Sequence, residues 1–585
     1  MPAQLIAPDQ PVPRTAKLPV VFVNGYQTDC SNSSFASTFG VADQVLRDNG
    51  QVSVFFDNCS VPGKPSLEKL GAAFGAFLAN LKYTDGTQPE SVDVVAHSMG
   101  GLIVRSYLSG KQEQDGSFAP PAVTRIRKAV FFATPHFGTP IAAVAFGIDS
   151  QVTALNSGSH FLYDLASWND GSDDLRGVDA LALAGSGGTG RAIAPGFDDG
   201  LVALTSASLG FSRPGRTRVV PFCHVDGGGL ISLAGFCDFS ARGIARIRSA
   251  GEDPARILIS FLNGTTDWQT IGEAAEQNRL LTTLAGVLVR PFDATGAAIK
   301  LTSSTVAASD GSSKKLNMSN DEIAYTDGVA AGKTTITSVK SSGTLSRVIT
   351  APAGAQQTYP LKAGPNISRV YPAAASIFPL TFAPRTIISL YGDTLASLND
   401  EARSIPLPPT LAGATVSLNG VALGLLSVSP AQINAVLPDS ASGLQTLTVQ
   451  TAAGTSTVRL LIEKAHPTIF TADRTGTGLA AAINVRNGLI VAGDNPLRAN
   501  DYLTLFLTGL GTTTRQNGFD VANQQPVVTV AGANCAVSYA GAAPGYVGLD
   551  QVNCQVPAGI PSNPAAPVVV TSGGVASNIA TIPIQ

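Results

Sequence analysis

The chain has 585 residues, of which 44% are hydrophobic and only 14% are charged, and its formal net charge is −3. This composition excludes a disordered protein, and without a basic cluster it argues against nucleic-acid binding. The length exceeds one hydrophobic core, so we expect several domains, and no apolar run reaches the roughly 20 residues of a membrane span.

Residues 1–287 alternate short β-branched runs with helical patterns. Apolar runs of this kind are typical of strands buried on both faces of a parallel sheet. The runs are PVVFVN (19–24), VSVFF (52–56), VDVVA (92–96), KAVFFAT (128–134) and TRVVPF (217–222). Between the second and third runs, apolar residues from Leu67 to Leu81 recur at helical spacing behind a Ser66 N-cap. The alternation predicts a doubly wound, mostly parallel α/β domain.

After residue 287 the helical periodicity ends and short alternating strands follow, which predicts all-β, Ig-like sandwich modules. We expect a first module over 288–365. The segment QINAVLP (432–438) recurs as QVNCQVP (551–557), with similar strands before and after each copy. An internal repeat of this kind predicts two related sandwiches in tandem, over 366–466 and 467–585.

The segment SVDVVAHSMGGLIVRSYL (91–108) places Ser98 between a buried strand and a helix. A serine on so tight a turn presents its hydroxyl above the sheet, and its neighbours must be small. The motif is A-H-S-M-G, with Ala96 in the first glycine position of GxSxG. The turn also puts the Met99 N–H at a helix N-terminus, where it can stabilise an oxyanion. We interpret Ser98 as a nucleophile; an inert serine on an ordinary turn is the alternative.

A nucleophilic serine needs a base, and the chain has five histidines. His97 lies in the motif itself, His136 and His160 precede the expected acid, and His466 lies far away in a β-module. His224 directly follows the run TRVVPF, at the strand end where α/β folds gather functional loops. We therefore predict His224 as the base.

The acid should come between the serine and the histidine in the chain. The segment FDDGLV supplies Asp198 and Asp199, and we prefer Asp199, with Asp198 as the alternative. The alternative is that these two carboxylates form a solvated turn or cap the next helix and have no catalytic role. The second oxyanion donor is expected in the loop VNGYQTDC after the first strand, where Gly25 allows tight passage and the Tyr26 N–H would face the substrate oxygen.

The six cysteines fall into three local pairs and none forms a CxxC motif. The pairs are Cys30 with Cys59, Cys223 with Cys237, and Cys535 with Cys554. Disulfides are expected, which favours an extracytoplasmic protein; six buried thiols are the alternative. The start, MPAQLIAPDQPVPRTAK, lacks the pattern of a signal peptide, so we expect a secreted protein whose leader is not in this sequence.

Taken together, PVVFVNGY, VVAHSMGGL, FFATPHFGTP, DDGLV and the late His224 resemble bacterial lipases and esterases of the α/β-hydrolase superfamily. The resemblance is to the group of triacylglycerol lipases and lecithin–cholesterol acyltransferase-like enzymes, over about residues 15–250. It implies a nucleophile at Ser98, an acid at Asp199 and a base at His224, with Tyr26 and Met99 as oxyanion donors.

Two positions depart from that family pattern. Asn24 stands where many lipases have histidine, which bears on the geometry of the oxyanion loop. Asp226, in HVDGGG, is similar to a calcium-ligand aspartate of some bacterial lipases, but its partner ligands are not recognisable. We expect a surface carboxylate and no cofactor, with structural calcium as the alternative.

The C-terminal part also carries a resemblance. Its motifs are LSVSPAQINAVLP, GYVGLDQVNCQVP and the Ser-Asn-Ile ending. They resemble a C-terminal region recurrent in secreted proteins of acidobacteria. The resemblance implies extracellular Ig-like modules and little about activity.

These features predict a secreted serine ester hydrolase, a lipase or carboxylesterase, acting on an ester or lipid through an acyl-enzyme. The β-modules could contact a polymer or a cell surface. The alternatives are a polyester-degrading hydrolase, a surface-binding or adhesion protein with a degenerate hydrolase domain, a peptidase or amidase, and an acyltransferase. The segment 141–168 is either a lid over an acyl pocket or an ordinary pair of core helices.

Overall fold

The computed structural model divides into two compact units, Met1–Trp168 with Val178–Lys362, and Asn169–Gly177 with Ala363–Gln585. The residues it describes are 10–142, 149–168, 174–190, 198–228, 234–271, 283–293, 297–308, 310–318, 320–340, 343–351, 353–361, 364–375 and 381–585. The domain boundaries drawn above stay predictions, although the strand Leu284–Pro291 runs across the one at 287.

A six-stranded parallel sheet forms the core of the α/β part of the first unit, with strand order β2-β1-β3-β4-β5-β6. Its strands are β1 (Val20–Val23), β2 (Ser53–Phe56), β3 (Val92–His97), β4 (Ile126–Phe132), β5 (Asp179–Gly185) and β6 (Thr217–Val220). The predicted fold class is confirmed. The strand β5, with the sequence DALALAG, was not predicted, because alternating Ala and Leu lack the β-branched residues that indicate a strand.

Helices flank this sheet. They are α1 (Phe35–Phe39), α2 (Ala42–Asp48), α3 (Leu67–Asn80), α4 (Met99–Ser109), α5 (Ser150–Leu155), α6 (His160–Ser167), α7 (Leu204–Ala207) and α8 (Asp253–Asn263). Ser66 caps α3 as predicted, since its hydroxyl accepts the Lys69 N–H. Helix α3 packs closely on α4, where a Cβ on Gly71 would overlap Ser106. In the described part of the chain, no helix combines the length and apolarity that crossing a membrane requires.

The rest of the first unit is a β-sandwich. Its sheets have the orders β10-β11-β7-β14 and β13-β12-β8-β9. The strands are β7 (Leu284–Pro291), β8 (Leu301–Ala307), β9 (Ser313–Lys315), β10 (Asn317–Met318), β11 (Ala324–Ala330), β12 (Gly332–Lys340), β13 (Gly343–Ala351) and β14 (Ala355–Leu361). The first and last strands, β7 and β14, are parallel neighbours paired from Ala285↔Ala355 to Pro291↔Leu361.

This sandwich packs directly on the α/β part of the same unit. Helix α7 contacts β7, β11 and β14, and α6 also contacts β14. The Thr205 hydroxyl donates to the Asp327 carbonyl oxygen over 2.7 Å, and the Asn320 amide donates to the Gly158 carbonyl oxygen over 3.0 Å. The two parts therefore share buried surface, which the change in composition after residue 287 does not indicate.

The second unit contains further sandwiches. The first repeat has the strands β15 (Asn366–Pro372), β16 (Ile387–Asp393), β17 (Asp400–Glu401), β18 (Thr410–Leu411), β19 (Ala414–Leu418), β20 (Val421–Ala422), β21 (Gly424–Val428), β22 (Gln432–Val436), β23 (Gly443–Thr451) and β24 (Gly454–Ile462). Its two sheets, ordered β15-β16-β22-β21-β17 and β18-β19-β23-β24, enclose an apolar core.

The second repeat forms one branched sheet around a core of its own. Its strands are β25 (Thr468–Ile469), β26 (Ala482–Asn484), β27 (Leu489–Ile490), β28 (Tyr502–Thr508), β29 (Thr513–Gln516), β30 (Phe519–Ala522), β31 (Val527–Val530), β32 (Ala533–Ala542), β33 (Asp550–Gln555), β34 (Asn563–Ser572), β35 (Val575–Ala576) and β36 (Ala580–Ile584). A disulfide between Cys535 and Cys554 joins the neighbouring strands β32 and β33.

The repeat inferred from QINAVLP and QVNCQVP is visible in the hydrogen bonds. In the first copy the Ser389 hydroxyl and the Gln432 amide both donate to the Asn434 side-chain oxygen, over 2.8 and 3.0 Å. In the second copy the Thr504 hydroxyl and the Gln551 amide donate to Asn553 over 3.0 and 2.9 Å. The partner strands have matching register, with Ser389 opposite Asn434 and Thr504 opposite Asn553. The recurring Q-x-N therefore builds the same cross-strand cluster twice.

Candidate active site

Ser98 occupies a strained turn between β3 and α4. Its φ and ψ are 54° and −128°, a backbone conformation that side chains rarely adopt. The glycines that follow are required by close backbone contacts. A Cβ on Gly100 would overlap the Val23 carbonyl oxygen, and a Cβ on Gly101 would overlap the Thr134 side chain. Ala96 lies earlier, inside the buried strand, where a methyl group fits.

The structure brings three of the predicted residues into one hydrogen-bonded chain. The Oγ of Ser98 lies 2.8 Å from Nε2 of His224, and Nδ1 of His224 lies 2.8 Å from Oδ2 of Asp199. His224 and Asp199 are buried, while Ser98 is half-buried and faces a cavity. This is the order and geometry of a nucleophile, a base and an orienting acid.

Asp199, not Asp198, is the carboxylate beside the histidine. Its Oδ1 accepts the N–H groups of Leu201 and Val202 over 3.0 and 2.8 Å, and its carbonyl oxygen accepts the His224 N–H over 2.8 Å. These bonds fix both the carboxylate and the histidine backbone. Asp198 instead accepts the Gly200 N–H within its own turn.

His97 supports the histidine loop from behind. Its Nε2 lies 3.1 Å from the carbonyl oxygen of His224, and its side chain is not within the hydrogen-bonded chain. Burial, together with the nearby His224 ring, lowers the pKa of His97 to about 3. Its ring therefore stays neutral and can donate to that carbonyl over the whole range in which the protein is expected to work.

We expect His97 to make the stability of the protein depend on pH. A histidine whose folded pKa is depressed contributes stability that is fully present above the unfolded pKa, about 6.5, and is lost as the pH falls below it. His97→Gln should therefore be destabilising at pH 7.5, and the difference from the wild type should narrow between pH 6.5 and pH 4. Urea unfolding at a series of pH values measures this; a constant difference would contradict it.

The oxyanion donors are predicted at two backbone positions beside Ser98. Met99 is the first residue of α4, where N–H groups have no partner within the helix. The loop after β1 approaches from the other side, since a Cβ on Gly25 would lie 2.8 Å from the Ser98 Cβ. Both Met99 and Tyr26 therefore adjoin the nucleophile, and their role as donors stays a prediction.

Asn24 holds the start of this loop in a buried polar network. Its side-chain oxygen accepts the Asn58 N–H over 2.9 Å, and its amide donates to Asp57 and Ser33 over 2.8 and 3.1 Å. Asn24 is fully buried. Besides Ser33, the network uses Asp57 and Asn58, which follow β2, and no motif in the sequence singles out these two residues.

The side chain of Tyr26 lies at the rim of the site. Its hydroxyl donates to Oδ2 of Asp149 over 2.8 Å, and Lys64 contacts both groups. Burial and the hydrogen bond to Asp149 raise the pKa of Tyr26. Asp149 also caps α5 by accepting the Val152 N–H. These contacts connect the oxyanion loop with the start of the segment considered as a lid.

A cavity of about 570 Å³ opens above Ser98. It is lined by Gly25, Tyr26, Gln27, Thr28, Asp29, Ser37, Thr38, His97, Ser98, Leu201, His224, Val225, Asp226, Gly227, Gly243, Ala245 and Arg246. Of the candidate lid, residues 143–148 lie outside the described residues. Residues 149–168 do not line the cavity, and the apolar side chains of α6 are buried. The described part of the segment thus forms core helices.

The carboxylate of Asp226, which the sequence suggested as a possible calcium ligand, is bound by protein donors. Its carboxylate accepts the Gly243 N–H over 2.8 Å and forms ion pairs with Arg246 and Arg248 at 2.8 and 3.1 Å. These donors outweigh burial and lower the pKa of Asp226. Among the residues that the structure describes, no group of three or more His, Cys, Asp or Glu side chains could hold a metal ion.

Two disulfides flank the site and join the cysteines that the sequence pairs. Cys30–Cys59 links the oxyanion loop to the residues after β2, next to Asn58. Cys223–Cys237 begins at the residue before His224 and closes the loop that follows it. Both bonds therefore restrain loops that position site residues.

We expect the double substitution Cys223→Ser, Cys237→Ser to affect both stability and turnover. In the chain-entropy model, opening a loop of this size lowers the free energy of unfolding by about 3 kcal/mol, and it also gives the residues around His224 more conformational freedom. Thermal unfolding and kcat on a soluble ester measure the two effects. The matched control is Cys535→Ser, Cys554→Ser in the second unit, which should leave kcat unchanged. Equal kcat values for the two double variants would contradict the positioning role.

Residues 75–174 match the family model described as lipase (class 2). This stretch begins within α3 and contains β3, Ser98 and α4. Over these residues the match confirms the predicted resemblance to a lipase or esterase of the α/β-hydrolase type, and it supports the coarser prediction of a lipolytic ester hydrolase. No curated protein matches the chain.

Solved structures similar to the chain include three lipolytic enzymes. Phospholipase PlaB from Legionella pneumophila is 14% identical, with a TM-score of 0.41, over 59% of this chain and 93% of PlaB. Lipase BlEst2 from Bacillus licheniformis is 21% identical (TM-score 0.28, 39% and 91% covered). Lipase 1 from Pelosinus fermentans is 12% identical (TM-score 0.23, 39% and 95% covered). All three TM-scores are below 0.5, so these similarities carry no argument about the fold, which is assigned from the strand order of the sheet.

Proposed function

We propose that the chain is a secreted serine hydrolase that cleaves carboxylic esters, with lipid esters as the substrate class. The observation that carries the proposal is the pair of 2.8 Å hydrogen bonds from Asp199 through His224 to Ser98 at the floor of a cavity. The match to class 2 lipases supports the choice of ester over amide.

The proposed reaction has two stages. In the first, His224 takes the proton from Ser98 as Oγ attacks the ester carbonyl, and the Met99 and Tyr26 N–H groups stabilise the tetrahedral oxyanion. Asp199 orients His224 and stabilises the imidazolium, which then protonates the departing alcohol. In the second stage, His224 activates a water molecule that releases the acid from Ser98. No cofactor is needed.

Secretion is supported by the cysteines. All six form disulfides, and such bonds persist in oxidising compartments. In this proposal the β-modules provide the contact with a polymer or a cell surface that carries the ester. Deleting residues 363–585 should then weaken hydrolysis of an insoluble substrate more than that of a soluble one.

A fluorophosphonate probe tests the proposal most directly. The probe should attach to Ser98, as mapped by peptide mass spectrometry, and pretreatment should abolish hydrolysis of p-nitrophenyl esters. A series of acyl lengths, a polyester film and a p-nitroanilide then separate lipase, polyester hydrolase and amidase. Labelling elsewhere, or no labelling and no hydrolysis above background, would favour a surface-binding protein and overturn the proposal.

A further inference from the structure

The residue after Asp57 contacts the oxyanion loop in a way that bears on catalysis. Asn58 is 7% exposed, and its side-chain amide donates to the carbonyl oxygen of Gly25 over 2.7 Å and to that of Asn24 over 3.2 Å. Because both partners are carbonyl oxygens, the group facing the loop must be the NH₂ of the amide. Asn58 is therefore a donor to two successive peptide units.

The Gly25 carbonyl belongs to the same peptide unit as the Tyr26 N–H. That unit is planar and trans, so its C=O and its N–H point in opposite directions. A donor that holds the carbonyl oxygen on one side fixes the direction of the N–H on the other. Gly25 itself lies against Ser98, where an added Cβ would be 2.8 Å from the Ser98 Cβ.

Asn58 is in turn held from three sides. Its own N–H donates to the side chain of Asn24 over 2.9 Å, and that side chain donates to Asp57. Asp57 also accepts from the Ser33 hydroxyl and the Cys59 N–H, over 2.9 and 3.0 Å. The disulfide Cys30–Cys59 begins at the next residue. The amide thus has little freedom to leave the Gly25 carbonyl.

We propose that Asn58 is a positioning residue that aims the Tyr26 N–H at the oxyanion of the tetrahedral intermediate. The inference rests on the proposed function. Asn58 touches no reacting atom; it acts through the Gly25–Tyr26 peptide. Its contribution appears when negative charge develops on the substrate oxygen, so it should affect kcat and leave KM nearly unchanged.

The test compares an ester with its thionoester, in which sulfur replaces the carbonyl oxygen. Sulfur accepts hydrogen bonds weakly, so a correctly aimed N–H accelerates the oxoester far more than the thionoester. In Asn58→Ala, kcat for the oxoester should fall by about 10- to 100-fold. Removing one oxyanion donor lowers kcat by about 10²- to 10³-fold, and here the donor is still present but points in the wrong direction. The kcat for the thionoester should change little, so the ratio of oxoester kcat to thionoester kcat should fall by nearly the same factor as the oxoester kcat.

Asn58→Asp serves as an isosteric second variant, because it replaces the donating NH₂ with an oxygen that repels the Gly25 carbonyl. The matched control is Ser60→Ala, which removes an exposed hydroxyl that donates to the Asp57 carbonyl oxygen in the same turn and should preserve the ratio. Equal losses on both esters in folded Asn58 variants, verified by circular dichroism melts, would overturn the inference. Failure of the proposed function is distinct, since it would appear as a wild type that a fluorophosphonate does not label at Ser98.

Discussion

Ser98→Ala abolishes ester hydrolysis in our expectation, with kcat reduced by about 10⁴- to 10⁶-fold. The substitution removes the attacking oxygen and leaves the cavity and the Asp199–His224 pair in place, so any remaining rate comes from the oxyanion donors alone. Turnover of p-nitrophenyl butyrate by purified protein measures the effect. The fold should survive, because alanine is no larger than serine and adopts the strained backbone conformation of position 98 at a similar cost.

The chain offers a matched control for this substitution in the same helix region. Ser106 lies on α4, is buried and has no hydrogen-bond partner for its hydroxyl. Ser106→Ala should therefore keep nearly full activity. Retention of hydrolysis by Ser98→Ala, or an equal loss in both variants, would show that the reaction uses another group.

The second large effect concerns where the chain can be shortened. A protein ending at Thr283 lacks the first sandwich and exposes the surface of α6 and α7 that β7, β11 and β14 cover. We expect it to aggregate or to melt about 10 °C or more below a protein ending at Lys362, because several kcal/mol of apolar contact is lost. Differential scanning calorimetry of the two truncated proteins measures the difference.

Both truncated proteins lack residues 363–585, so the removal of that part cancels in the comparison. The protein ending at Lys362 should label with a fluorophosphonate, whereas the shorter one should label weakly or not at all. Equal melting temperatures and equal labelling would mean that the sandwich is an independent module.

The proximity of the candidate site residues was predictable because each of them stands in a short local pattern. Ser98 follows a buried strand and precedes small residues, and His224 follows another strand at the same edge of the sheet. A parallel sheet gathers those strand ends in space, so chain order was enough to connect them. The sequence alone did not separate Asp199 from its neighbour; the structure places Asp199 beside His224 and holds its carboxylate by the backbone bonds from Leu201 and Val202.

The oxyanion loop shows what local patterns do not contain. Asn24 departs from the residue found in many lipases, and the sequence offers no replacement for it. In the structure, Asn24 is held by hydrogen bonds with Asp57 and Asn58, which follow a different strand more than 30 positions along the chain. Hydrogen bonds between distant segments leave no periodic signal.

The first sandwich is a similar case. Its strands were predicted from alternation and composition, which report secondary structure. Its packing on α6 and α7 depends on buried contacts such as that between Thr205 and Asp327, and these have no signature in either segment alone. The sequence therefore predicts the strands and helices of the first unit, but it does not indicate that the first sandwich belongs to the same compact unit as the α/β part.

The parallel pairing of β7 with β14 has a mechanical consequence. The chain enters the first sandwich on β7 and leaves it on β14, so tension between the enzyme part and an anchored C-terminus would slide these two strands along each other. The seven residue pairs between them would then bear the load together instead of opening one after another. If the C-terminal part were bound to a surface and flow pulled on the α/β part, this pairing would resist mechanical unfolding of the first sandwich.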